Sequence, residues 1–446
     1  MKIIFAAVCV LSLCQSLCLA ADEPPPLDPK RIINESYGFL KEREPNLTAE
    51  EQAIYNKVLP MLSTQPDFAI KLLEVMVNEN SSPAFEFILG NTYYSLDKKE
   101  KAEELYRRAI KRYPTFLRAW NNCGVICYSQ ERFPEAIECL TKVISLGDRE
   151  SSTYGLLGYC LERTHDPISA EIAYTQAIMT DPFDIGWKEG LMRVCMFQKQ
   201  YPRAEAIARR LLKEHPAEPK YWLTYASILL YQEQRVRALV VLDEAKSLGV
   251  ASQEAIETLA DLYAEQKLAP ESIALYQGLL AKSHNLGERR MIRLGQVLIA
   301  DGKYTQAEAV LNAIQSSIAH DTRISFYQAS AELYSAQKRY PEARAQLTEL
   351  LKLEPLNGSA LMGLGKAYLA EEDTIRAAQA FEAASQSSGN VYSASIELAN
   401  IELKNKQFEK SASHIEKALT IERTPVLEEY LAQLRVFIAR NNSPSS

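Results

Sequence analysis

No part of this sequence concentrates positive charge. Its 50 Lys and Arg are outnumbered by 57 Asp and Glu, giving a formal net charge of −7, and the basic residues never gather into a run. That removes the electrostatic footprint that nucleic-acid binding requires. Histidine is scarce as well: the five residues at 165, 215, 284, 320 and 414 do not cluster. Gly-x-Ser-x-Gly, His-Glu-x-x-His and a Gly-x-Gly-x-x-Gly after a strand are all missing, so no convergent catalytic set is assembled. The Gly-x-Gly-Lys fragment at Gly363–Lys366 lies inside a helical pattern, where it serves packing rather than phosphate binding. A non-catalytic chain with no cofactor and no metal is expected. Past residue 19 no apolar run approaches the roughly 20 residues of a membrane-crossing helix, so an integral membrane protein is not expected.

What the chain does have is a beat. Alanine at 102, 136, 170, 204 and 238 recurs every 34 residues, and Ser272, Ala307, Ala343, Ala377 and Ser411 carry the register on, with slips of one and two residues between 272 and 343. Twelve positions earlier stands a second small residue: Gly90, Gly124, Gly158, Ala226, Ala260, Gly295, Ala331, Gly365 and Ala399, broken only by Met192. Two small residues per repeat let two helices approach closely, and a fixed period of this size marks a stack of supersecondary units. Starting points at 83, 117, 151, 185, 219, 253, 288, 324, 358 and 392 give ten units. Large side chains then fall into register: Trp120, Tyr154, Trp222 and Tyr327 at place four, Tyr93, Tyr263, Tyr334 and Tyr368 at place eleven, Tyr106, Tyr174, Tyr276 and Phe381 at place twenty-four. Spacings of four and seven put these on one helical face. Pro114, Pro182, Pro216 and Pro355 end the second helix of their units, while Pro134, Pro202, Pro270 and Pro341 begin one.

This joint pattern resembles the tetratricopeptide repeat (TPR) family. The unit at 83 carries it in Leu89-Gly90, Tyr93, Ala102, Tyr106, Ala109 and Pro114, and the unit at 151 in Tyr154, Leu157-Gly158, Ala170, Tyr174, Ala177 and Pro182. The resemblance spans 83–423 and implies an all-α, right-handed superhelical solenoid of about ten helical hairpins. Its ends need helical caps, since terminal repeats would otherwise expose a core face. Residues 31–82 are read as the N-terminal cap or a decayed repeat, with Thr48 and Glu51 spaced as a capping box, and 424–440 as a C-terminal capping helix before a tail at 441–446.

The first 20 residues read as a signal peptide: Lys2, an apolar run from Ile3 to Leu19, and a cut after Ala20, with Ala21 a second choice. A Pro-rich linker follows over 21–30. Export to the periplasm, or secretion, is the expectation. Residues 32–51 resemble the corresponding part of periplasmic TPR proteins that accompany TonB-type systems, which would place the chain in a membrane-associated complex. Five cysteines remain after cleavage: Cys123, Cys127, Cys139, Cys160 and Cys195. Their odd count leaves at least one thiol unpaired, and core places make them small buried hydrophobes. One disulfide involving Cys139 or Cys160 stays open, and Cys123 with Cys127 makes half of a metal site at best.

In TPR proteins the first helix of each unit lines a concave groove, through places two, five, nine and twelve. Carried over, the resemblance implies a mixed zone of Phe87, Asn91, Tyr94, Arg118, Asn121, Tyr128, Tyr159, Glu162, Glu189 and Arg193, bordered by Asn122, Arg163 and Phe197. Amides and rings together suit an extended peptide. An acidic zone follows at Glu254, Glu257, Asp261 and Glu265, suited to steering a basic segment. A third, apolar zone stacks Ile292 with Ile299, Met362 with Leu369, Ile396 with Leu403, and earlier Leu223 with Leu230: an exposed partner surface if the groove is open, rows buried by neighbouring units if the superhelix is tight. The basic residues of chaperone-binding TPRs are replaced here by Phe87, Ser152 and Leu156, although Asn91 and Asn122 match the asparagines beside them. Protein or peptide partners are expected in the groove of an exported scaffold. A structural subunit of an envelope or TonB-type machine, and an accessory subunit for secreted polysaccharide, are the two alternatives.

Overall fold

The computed structural model describes residues 44–282 and 285–442. The expected signal peptide, the linker, the start of the cap and the last residues of the tail lie outside them. The described residues form 23 α-helices and no strand. The chain divides into two compact units, one to Val250 and one from Ala251.

In the first unit, α1 (Ala49–Thr64) and α2 (Pro66–Met76) precede five hairpins. These are α3 (Pro83–Ser95) with α4 (Lys99–Arg112), α5 (Leu117–Ser129) with α6 (Phe133–Ser145), α7 (Ser151–Arg163) with α8 (Pro167–Thr180), α9 (Ile185–Phe197) with α10 (Tyr201–Glu214), and α11 (Pro219–Tyr231) with α12 (Arg235–Ser247). The second unit has five more: α13 (Gln253–Glu265) with α14 (Ala269–Ala281), α15 (Gly287–Ala300) with α16 (Tyr304–Ile314), α17 (Arg323–Ala336) with α18 (Tyr340–Leu353), α19 (Gly358–Ala370) with α20 (Thr374–Ala384), and α21 (Val391–Lys404) with α22 (Phe408–Leu419). A single helix, α23 (Pro425–Asn442), closes it.

Helix starts follow local chemistry. Thr48 and Glu51 form the capping box of α1, each side chain bonded to the other's backbone N–H. Pro134, Pro202, Pro270 and Pro341 sit in the first turn of their helices, where a missing N–H removes no intrahelical bond. The ten residues that carry the 34-residue beat are all fully buried. At two of them serine replaces alanine, and Ser272 and Ser411 each donate to the carbonyl twelve residues back, Ala260 and Ala399, at 2.9 Å. The partner small residue is just as constrained. A β-carbon on Gly90 would lie 2.6 Å from the Tyr106 ring, and one on Gly365 would lie 2.5 Å from that of Phe381. In the repeats at 83, 151 and 358, glycine at place eight leaves the room that the aromatic ring at place twenty-four fills.

The turn within each hairpin obeys a rule that the sequence hides. Place fifteen has positive φ in all ten repeats: Asp97, Glu131, His165, Lys199, Glu233, Lys267, Gly302, Lys338, Glu372 and Lys406. The next residue donates its N–H back to place eleven, as in Lys98 to Tyr93 (2.9 Å) and Arg339 to Tyr334 (2.8 Å). This six-to-one bond ends the first helix and turns the chain into the second.

Candidate functional site

The first helices of successive hairpins are neighbours, and their polar side chains pair across the step of one repeat. Asn91 on α3 accepts from the Asn122 amide on α5 at 2.9 Å and from the Tyr106 hydroxyl at 2.6 Å. Glu162 on α7 takes two bonds from Arg193 on α9, at 2.8 and 3.0 Å, and one from the Tyr174 hydroxyl at 2.8 Å. Burial and that carboxylate hold the Tyr174 phenol well above its ordinary range. Glu189 on α9 accepts from the Tyr221 hydroxyl at 2.6 Å and pairs with Lys220 at 2.7 Å on α11. These pairs tie each hairpin to the next along the face the first helices share.

Residues of the mixed zone are therefore largely occupied. The rings of Phe87, Tyr94, Tyr128 and Tyr159 are buried. Tyr128 meets Tyr159 edge-on at 5.6 Å, and Tyr159 takes a hydrogen bond from Arg163 at 3.0 Å. Asn121 is half-buried, and Phe197 is exposed. The acidic zone is not bare: on the next first helix, Arg290 pairs with Glu257 and, at 3.2 Å, with Asp261, while Arg293 reaches Asp261 at 3.4 Å and Glu265 at 3.5 Å. Arg290 and Arg293 were legible, three and six places into the following unit, had the zone been read across repeats. In the apolar zone Ile292 and Met362 are buried, packed with residues of the following hairpin, while Ile299, Leu369, Ile396, Leu403, Leu223 and Leu230 are half-buried.

One contact on this face comes from outside the hairpins. Glu44, in the non-helical segment before α1, forms an ion pair with Arg118 on α5, and both groups are largely withdrawn from water. The Arg118 guanidinium lies over the Phe87 ring at 5.1 Å, and Phe87 packs against Phe116 at 4.9 Å. Pro45 is buried beside Glu44. A second feature accompanies it: the Asn91 amide nitrogen is buried with no hydrogen-bond partner among the described residues. An N–H₂ group so placed costs stability until an acceptor reaches it. Sequence reasoning missed Glu44. Only its charge, opposite to Arg118, could have signalled it, and 74 residues separate the two.

Residues 89–151 and 328–391 match the family described as tetratricopeptide repeat. Among curated proteins, the chain is 22% identical over 318 residues to cellulose synthase operon protein C of Pseudomonas fluorescens (strain SBW25), covering 60% of this chain and 25% of that protein. It is 27% identical over 143 residues to cilia- and flagella-associated protein 70 of Macaca fascicularis, covering 30% of this chain and 14% of that one. The chain thus spans a quarter or less of the length of these relatives. Among solved structures it is similar to a tetratricopeptide repeat protein from Parabacteroides merdae ATCC 43184, at 18% identity and a TM-score of 0.37, over 64% of this chain and 98% of that one.

Proposed function

We propose that this chain, a tetratricopeptide-repeat protein, is an exported, non-catalytic scaffold that holds an acidic, extended segment of a protein partner on the first-helix face of its first two hairpins. The observation that carries this reading is the seat of Glu44 on Arg118 above Phe87. A carboxylate from a non-helical stretch already occupies a cationic, ring-floored position there, so the face accepts such a segment. A withdrawn Arg118 left without a carboxylate would be strongly unfavourable, which makes the site selective for acidic occupants. The unsatisfied Asn91 amide adds a donor for a backbone carbonyl of the same segment. Export rests on the apolar run from Ile3 to Leu19 after Lys2. No described helix is long and apolar enough to cross a membrane.

The test is anisotropy of a labelled synthetic peptide copying residues 40–48, titrated with the full chain. Glu44→Ala, which removes the competitor in cis, should bind it at least about tenfold more tightly than wild type, because the competent state is no longer self-occupied. Arg118→Glu should abolish binding, and added salt should weaken it. Equal binding by all three proteins, or binding by none, rejects the proposal.

An outer-surface structural role also has a specific observation in its favour. Ile168, Ile172 and Met179 stand exposed on one side of α8, with Phe183 just beyond it, and apolar patches of this kind mark protein contacts. Polysaccharide handling, the reading that the name of the Pseudomonas relative suggests, needs exposed ring faces. Tyr94, Tyr128 and Tyr159 are buried, so we place that reading third.

A further inference from the structure

At place eleven four of the ten repeats carry a tyrosine, Tyr93, Tyr263, Tyr334 and Tyr368, and over three of these rings, Tyr93, Tyr334 and Tyr368, lies a cation. Arg339 sits 4.6 Å from the centre of Tyr334 in this way. The repeat at 117 keeps the arginine, Arg132, but puts Cys127 where the ring would be. The guanidinium then caps a sulfur: Arg132 Nη2 lies 2.8 Å from Cys127 Sγ, with Arg107 Nη2 at 3.9 Å on the other side. Both guanidiniums are anchored. Arg132 reaches Glu103 at 2.5 Å, and Arg107 reaches Glu103 and Glu135 at 2.7 Å each. Across the hairpin, on α6, stands Cys139, a free thiol buried like Cys127. The two helices are close here because of Gly124, one turn before Cys127: a β-carbon on it would lie 3.3 Å from that of Cys139.

We propose that Cys127 and Cys139 are an oxidisable dithiol, in which Cys127 is the peroxide-reactive nucleophile and Cys139 the resolving thiol. A hydrogen bond with Cys139 and the bond from Arg132 hold the Cys127 thiol below its ordinary range, against the effect of burial. Cys139 is shifted the other way by its bond with Cys127 and by burial, so it stays protonated until needed. Cys127 itself is buried, but the side chains above it, Arg107, Arg132 and Glu135, are each a third to a half exposed, which gives a small oxidant a short path. The Cys127 thiolate attacks one oxygen of hydrogen peroxide, the O–O bond breaks, and hydroxide leaves and is protonated to water. Cys127 is then a sulfenic acid. The Cys139 sulfur attacks the Cys127 sulfur, the S–O bond breaks, and the hydroxyl leaves as a second water with the Cys139 proton. Two thiols lose two electrons, one peroxide gains them, and the resulting disulfide bolts α5 to α6.

The molecule contains its own control. Cys195 occupies place eleven in the repeat at 185, but place sixteen there is Gln200, whose amide bonds Glu171 and Gln198, and the position matching Cys139 is Ile207. Burial pushes the Cys195 thiol up. The other use of the corner is a metal site, since ligand atoms of Glu103, Cys127 and Glu135 lie within 4.8 Å of one another. Two guanidiniums already neutralise those carboxylates and would repel a cation, so the corner is built for a thiolate.

The experiment treats the reduced full chain with graded hydrogen peroxide at neutral pH, quenches with catalase, and maps thiols by alkylation in denaturant and peptide mass spectrometry. Two thiols should disappear first, with the 127- and 139-containing peptides linked, while Cys195 stays reduced. Arg132→Gln should slow the loss about tenfold, the effect of returning the thiol to its ordinary range. Cys139→Ser, checked for folding by circular dichroism, should leave a Cys127 sulfenic acid trappable by dimedone. A first link between any other pair, oxidation of Cys195 as fast as Cys127, or survival of both Cys127 and Cys139 as thiols would each overturn the proposal.

Discussion

Glycine behaves in two opposite ways along this chain, and the difference lies in what faces it. Gly90 looks into the Tyr106 ring, with no room for a methyl group, whereas Gly278 in α14 has nothing within 4 Å of where a β-carbon would stand. Alanine is the better helix former by about 0.5–1 kcal/mol, while forcing a methyl group into a filled core costs about 1–3 kcal/mol. Gly278→Ala should therefore raise the urea midpoint, and Gly90→Ala should lower it by a net of about 1 kcal/mol or more in stability. Two shifts of the same sign would show that propensity rather than packing decides. The residue scale was where the sequence spoke most plainly. The buried beat of small residues could be read because packing against a neighbouring helix tolerates few alternatives at those places. Cys127 was read as a small core residue or, with Cys123, as half of a metal site at best, since nothing in its own neighbourhood in sequence names Arg107 or Cys139 as its companions.

Hairpins are joined to one another by a carboxylate at place twenty-one, which the sequence reading did not anticipate. Glu171 accepts from Gln198 at 3.0 Å, Gln200 at 3.4 Å and also Arg203 of the next repeat; Glu205 accepts from Gln232 at 3.0 Å and Arg237 at 2.8 Å. Glu308 repeats the arrangement with Gln337 at 3.3 Å and Arg339 at 2.8 Å. The bond from Arg203 lowers the Glu171 carboxyl, and that from Arg339 lowers Glu308. For Glu205 burial acts upward, but the bonds from Arg237 and Gln232 outweigh it. A carboxyl lowered on folding contributes stability that is complete above its unfolded value, about 4.5, and is lost as pH falls through the folded value. Denaturant midpoints should thus be flat from pH 7 to about 5 and decline below about 4.5, and Glu171→Gln/Glu308→Gln should shallow that decline. An unchanged acid limb in the double variant would remove these carboxylates from the account. The clamp and the left-handed turn at place fifteen share a reason for being missed. Asp, Glu, His, Lys and Gly all fill the turn, because the backbone bond to place eleven sets its geometry whatever side chain is there.

At the scale of the whole molecule, the fold class was legible because each hairpin repeats the same packing problem, and ten solutions in register leave little ambiguity. The site was legible only in part. Asn91, Arg118 and Phe87 were singled out because the resemblance assigns their places to an inner face, with Asn122 at its border. Their bonds to one another, and the arrival of Glu44 from 74 residues away, depend on which chain segments meet in space. The same limit applies to the third zone: whether its apolar rows are open or covered depends on the next hairpin, and Ile292 and Met362 are buried in clusters that include it. The central claim is that partners dock on the first-helix face of the first hairpins and not on the outer helices. It is tested most directly by placing a photo-crosslinking amino acid at Asn121, or at Ile172 on α8, in the full chain and identifying what each captures in the cells that make it. The account predicts that position 121 captures a protein through an acidic stretch, that Arg118→Glu abolishes this capture, and that position 172 does not capture the same protein. Capture of that protein at 172, undiminished by Arg118→Glu, would contradict it.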